Sequence, residues 1–128
     1  LCALDSLVSA GDVVLRPPVF AKIDVEGHEP AVLSGAGSLL REGAAIYFEC
    51  QREHLVKAGS RPAALWRQLT QAGYEVVGRA DLGFRRYSQP VDGLVNYLAL
   101  PGGVLPKADM FSVIEIKRAI STWRGAGP

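Results

Sequence analysis

Lys22, Asp24, Glu26, His28 and Glu29 crowd five ionisable side chains into eight residues. The run that carries them, residues 19–25, is mostly apolar, follows Pro17 and Pro18 and stops at Gly27, which reads as a strand buried in a sheet. Alternation puts Val19, Ala21, Ile23 and Val25 on one face and Phe20, Lys22, Asp24 and Glu26 on the other. Charges on a covered face are costly unless paired, hydrogen-bonded or open to a cleft. Lys22 reads as a structural ion-pair partner, Asp24 as a group at the strand end, and Glu29 as a carboxylate favouring the start of the next helix. His28 adds an imidazole, which titrates near neutral pH and can take a proton without much tuning. Glu49 repeats the pattern at the end of a second apolar run, Ile46-Tyr47-Phe48, and is expected to lie beside Asp24 if the two strands are parallel neighbours. Gln51 to His54 is too polar for a core and extends over the same edge, as part of a substrate pocket or as a solvated loop. His54, outside any motif, is read as having no catalytic role.

Such residues need a frame, and the hydrophobic period supplies one by switching between strand-like and helical runs at glycines and prolines. A helix is expected from Pro30, with Val32, Leu33, Ala36, Leu39 and Leu40 on its apolar stripe and Gly43 as its cap. A strand over 45–50 and a helix over 62–72, closed by Gly73, come next. Strands over 74–79 and 94–100 follow, with a short one at 84–87 between them. Tyr47, Trp66 and Tyr97 are expected in the core. Residues 109–123 read as an amphipathic helix with Lys117, Arg118 and Arg124 near its end. The order predicts an α/β fold with a parallel sheet whose last two strands pair antiparallel. Ligands of open α/β sheets bind at the carboxyl ends of the strands, where Asp24, Glu26, His28 and Glu49 would meet.

The 128 residues suffice for one compact domain, and 48% hydrophobic with 21% charged residues is ordinary globular composition. A formal net charge of +1 without a block of like charges gives no reason to expect nucleic acid. No apolar run reaches the roughly 20 residues needed to span a bilayer, so no membrane partner is expected. Cys2 and Cys50 have no metal-like spacing and fit a reducing, cytoplasmic setting.

The contiguous run Lys22-Ile23-Asp24-Val25-Glu26-Gly27-His28-Glu29, followed by Val32-Leu33 and Gly35, resembles the signature of FkbM-type methyltransferases. Leu4-Asp5-Ser6-Leu7 upstream, Phe48-Glu49-Cys50, Ala72-Gly73-Tyr74 and Asn96-Tyr97-Leu98 before Pro101 extend the resemblance. It implies the C-terminal part of a Rossmann-like class I methyltransferase sheet, its strands the fourth to seventh of seven, within a domain half at 1–101, with 102–128 as a C-terminal helix and tail. It also implies S-adenosyl-L-methionine as the cofactor. The glycine-rich turn and acidic ribose residue of such folds have no match here, so the chain is expected to be an incomplete piece, weak in cofactor binding by itself.

Methyl transfer to a hydroxyl is an in-line displacement that needs the oxygen held against the methyl group and a base for its proton. His28, Glu26 and Asp24 are the candidate catalytic residues, Asp24 also a candidate for the cofactor, and Glu49 and Gln51 candidates for binding the acceptor, a small metabolite or a sugar. A divalent cation held by Asp24, Glu26 and Glu49 is disfavoured because Lys22 already offers a counter-charge, and no metal is expected. The alternative function is a non-catalytic binding module that keeps part of the fold. Neither the acceptor nor the oligomeric state is legible.

Overall fold

The computed structural model describes residues 2–123; Leu1, Arg124 and residues 125–128 lie outside the described residues. Along the chain run α1 (Leu4–Ser9), β1 (Phe20–Ile23), α2 (Glu29–Ser34), α3 (Gly37–Arg41), β2 (Ala45–Glu49), α4 (Arg52–Lys57) and α5 (Pro62–Gln71). They are followed by β3 (Tyr74–Ala80), β4 (Gly83–Arg86), β5 (Asn96–Pro101), β6 (Met110–Phe111) and α6 (Val113–Thr122).

The strands form one mixed sheet in the order β1-β2-β5-β3-β4-β6. The expected antiparallel pairing of the 74–79 and 94–100 strands is present as β3–β5. The expected run of parallel pairs is corrected: among the described residues only β1 and β2 pair parallel, with Ile23 beside Phe48. The reason is that β5 inserts between β2 and β3 and runs antiparallel to both, so those two never bond to each other. A two-residue turn then folds β4 back on β3.

Alternation along the strands sorts side chains onto two faces. Ile23, Ile46, Phe48, Val76, Tyr97 and Ala99 face α2, α3, α4 and α5, whose Leu33, Leu39, Leu55, Leu65, Trp66 and Leu69 complete that core. Trp66 and Tyr97 pack edge to face at 4.7 Å, and the buried Tyr74 hydroxyl donates to the Ala44 carbonyl at 2.7 Å. On the other face Ala45, Val77, Leu100 and Phe111 meet Ile116 and Ala119 of α6. That layer stops short of β1, an edge strand whose Phe20 and Lys22 stay exposed. Lys22 is therefore no ion-pair partner: its ammonium keeps its water, and among the described residues the ion pairs are Arg86–Glu75 and, when the imidazole is protonated, His54–Glu49.

Several boundaries differ from expectation for local reasons. The single helix from Pro30 to Gly43 breaks at Gly35 and Ala36, because the Asp5 carboxylate caps the amides of Gly37 and Ser38 and so starts a new helix there. The helix expected over 109–123 begins at Val113, where Ser112 and Glu115 form a reciprocal capping box, and the residues before it make β6.

Candidate active site

Strands β1 and β2 point the same way, so both carboxyl ends open on one sheet edge. With Ile23 and Phe48 in register, the next residues, Asp24 and Glu49, are neighbours across the strands, close enough for Asp24 to act on the Glu49 carboxyl. Glu49 also faces the start of β5, where Asn96 is its register partner. Burial pushes the Glu49 carboxyl above the ordinary carboxylate range; the neighbouring Asp24 pushes it the same way, Glu29 adds to this, and His54 opposes it. Glu49 thus binds a proton more tightly than a lone carboxylate does.

The loop from Asp24 to His28 owes its shape to Glu29. This side chain is only 1% exposed, and its two carboxylate oxygens accept from the Val25 amide at 3.1 Å and the Gly27 amide at 2.9 Å. Clamping the amides on either side of Glu26 bends it into the left-handed region at φ 52°, where among the described residues it is the only non-glycine. Such a conformation costs about 1–2 kcal/mol for a residue with a Cβ, and it persists because Glu29 and the packing behind it over-determine the turn. Glu29 does more than favour a helix start: it builds the loop that carries Glu26 and His28. Behind that loop Gly27 lies against α4, so close that a Cβ there would sit 2.1 Å from the His54 carbonyl oxygen.

Among the sequence-predicted residues, the structure joins Asp24 to Glu49 and sets Gln51 at the N-cap of α4, two residues beyond Glu49. Glu26 and His28 are exposed. His28 faces a different space, a cavity of about 560 Å³ lined also by Lys22, Ile23, Ala31, Val32 and Leu39 along the outer edge of β1.

Sequence reasoning placed His54 over this edge without a catalytic role. Its side chain is 35% exposed, yet Nδ1 is buried without a hydrogen-bond partner, 3.6 Å from Glu49 Oε1. No sequence signal marks its buried nitrogen, because Gln51 to Lys57 has the polarity of a short solvated helix. The loop leading into β5 was missed. Tyr97 Oη accepts from the Val91 amide and donates to the Leu94 carbonyl, and the Cys50 amide donates to Val95 at 2.6 Å, which holds this loop beside Glu49. A small cavity of about 80 Å³ lies between it and Cys50, Arg52 and Pro62. Among the described residues no group of three or more His, Cys, Asp or Glu is arranged to hold a metal ion.

Fold and site together define an α/β protein with an acid pair and an imidazole at the carboxyl edge of its parallel strands. The family model for the methyltransferase FkbM domain matches residues 2–76, which include all of these groups except those of β5 and its loop. The chain belongs to the FkbM methyltransferase family. No curated protein and no solved structure matches it. Membership implies S-adenosyl-L-methionine as methyl donor and a methyl acceptor. The donor set suits the cationic sulfonium and ammonium end of that molecule, since Asp24 and Glu49 offer carboxyl oxygens and His54 an inward nitrogen. No helix among the described residues is long and apolar enough to cross a membrane.

Proposed function

We propose that this chain contributes the acceptor side of an S-adenosyl-L-methionine-dependent O-methyltransferase acting on a hydroxyl of a small metabolite or sugar in the cytoplasm. The observation that carries this reading is the side-by-side Asp24–Glu49 pair at the carboxyl edge of β1 and β2, in a chain of a methyltransferase family. We take the sheet as the C-terminal part of a Rossmann-like class I methyltransferase sheet, a reading supported by the parallel β1–β2 pair and by the antiparallel return of β5 between β2 and β3. The methyltransferase unit on this reading covers residues 1–101, and 102–128 form the appended helix and tail.

The cofactor, when bound, supplies an electrophilic methyl group. Asp24 holds its ammonium end and, with Glu49 and Gln51, the acceptor hydroxyl; two neighbouring carboxyl groups can accept from both at once. Proton removal falls to Asp24, Glu26 or His28. Glu26 is exposed on its left-handed turn, and His28, also exposed, lines the neighbouring cavity.

The test supplies this chain, joined to the cofactor half of the sheet, with cofactor carrying a ¹³C methyl group and with a panel of sugars and small alcohols, and locates the label by carbon–proton correlation. A methyl ether is expected. Asp24→Asn and His28→Ala are expected to slow its formation roughly a hundredfold, as loss of acid–base or positioning groups does. Both residues are exposed, so melting temperature should hold in both variants. Label on nitrogen or sulfur, or no transfer to any hydroxyl, overturns the proposal; unchanged turnover in His28→Ala removes that residue from the mechanism.

A further inference from the structure

The His54 ring nitrogen is the one group at this edge that the reaction, as drawn so far, leaves without a task. Nδ1 is buried, has no hydrogen-bond partner, and lies 3.6 Å from Glu49 Oε1, whose carboxyl is the neighbour of Asp24 across the strands. A buried polar atom without a partner is unfavourable unless something else fixes it there. Here the fixing is done by the backbone. Gly27 admits the His54 carbonyl into close contact with the loop, which seats the first turn of α4 against the loop that carries Glu26.

We infer that His54 is a positioning residue for methyl transfer: its Nδ1 holds Glu49 Oε1 and, through it, the orientation in which Asp24 meets the acceptor hydroxyl. The inference rests on the methyltransferase reading above. The other titratable or charged groups around Glu49 are Glu29 at the start of α2, Cys50 and Arg52; Glu29 and Cys50 are buried and Arg52 is exposed.

The experiment follows the carboxyl ¹³C signal of Glu49 in the glutamate-labelled chain through a pH titration, with the signal assigned by its loss in Glu49→Gln. His54 opposes the upward displacement of Glu49, so His54→Gln is expected to move the Glu49 midpoint further up, while Glu53→Gln on the exposed side of α4 leaves it in place. In the unsubstituted chain, the ¹⁵N shift of His54 Nδ1 is expected to inflect where Glu49 titrates, a readout that does not depend on a variant folding. An unmoved Glu49 midpoint in a folded His54→Gln, or no inflection at Nδ1, overturns the inference. In the methylation assay His54→Gln should lower kcat roughly ten- to a hundredfold, the scale of a small misplacement of reacting groups, with KM for the acceptor little changed. Failure of every hydroxyl acceptor would sink the methyl-transfer reading yet leave the Glu49–His54 coupling measurable, so the two failures are distinct.

Discussion

Replacing Gly27 by alanine should be among the most damaging single-methyl changes in this chain, and a second glycine calibrates it. Gly73 closes α5 at φ 82°, and a Cβ there would meet nothing within 4 Å. Gly73→Ala therefore carries only the left-handed backbone strain, about 1–2 kcal/mol. Gly27, at φ 104°, carries strain of the same kind and also drives its Cβ to 2.1 Å from the His54 oxygen and 2.5 Å from the His54 carbonyl carbon. Both are backbone atoms, so no rotamer change relieves the contact; the loop or α4 must move, at the roughly 1–3 kcal/mol of overpacking or more. The sum is about 2–5 kcal/mol, against a total stability of roughly 5–15 kcal/mol for a domain of this kind. At roughly 3–5 °C per kcal/mol for a domain this size, Gly73→Ala should melt about 3–10 °C below the parent and Gly27→Ala about 6–25 °C below it. Thermal unfolding by circular dichroism, with urea titration to check that the slope is unchanged, gives both numbers. Equal losses at the two sites would show that α4 yields freely and that the Gly27–His54 contact does not hold the loop.

Two further outcomes are expected. Burial, and then Asp24, raise the Glu49 carboxyl, so its contribution to stability is complete below the ordinary glutamate value of 4.5 and is lost as pH rises through the folded value. Glu49→Gln, neutral throughout, should therefore raise stability at pH 7 by up to about 1 kcal/mol, the small scale of a partly solvated charge, and change it little at pH 4. Scanning calorimetry at both pH values decides, and a variant less stable than the parent at pH 7 would contradict the assignment. Burial pushes the Cys50 thiol up to about 11, whereas Cys2 is exposed. Iodoacetamide at pH 8 should accordingly label Cys2 within minutes and Cys50 only after denaturation, as read by mass spectrometry; equal labelling of the folded chain would show that the 88–95 loop opens.

The strand carrying Asp24 and the strand ending in Glu49 were legible because period-2 apolar runs, bounded by proline and glycine, leave little choice of element. Their adjacency followed from one assumption, that they pair parallel. What the sequence could not convey was pairing between distant elements. Nothing in residues 94–100 says that this strand lies inside the sheet and not at its margin, because a buried edge strand and a central one read alike. The break in the first long helix was hidden for a related reason: its cause, Asp5, lies thirty-two residues upstream of the Gly37 amide it caps. His54 escaped because a polar run announces solvent, whereas the burial of a single ring nitrogen depends on how closely Gly27 lets the helix approach.

The insertion of β5 between β2 and β3 bears on the way this polypeptide emerges from the ribosome. Ile46 must wait for Ala99, and Val76 for the same residue on its other side, so the middle of the sheet has no partner until the segment after residue 95 has been synthesised. At roughly 5–20 residues per second the nascent chain spends several seconds with the edges of both β2 and β3 unclosed. During that interval Glu49 has Asp24 beside it but no Asn96 across from it, and the apolar stripes of both strands are open to stray pairing. Chaperone dependence and inclusion-body yield should therefore respond to changes in the 96–101 strand far more than to changes of equal thermodynamic cost in α6, which docks after the sheet has closed.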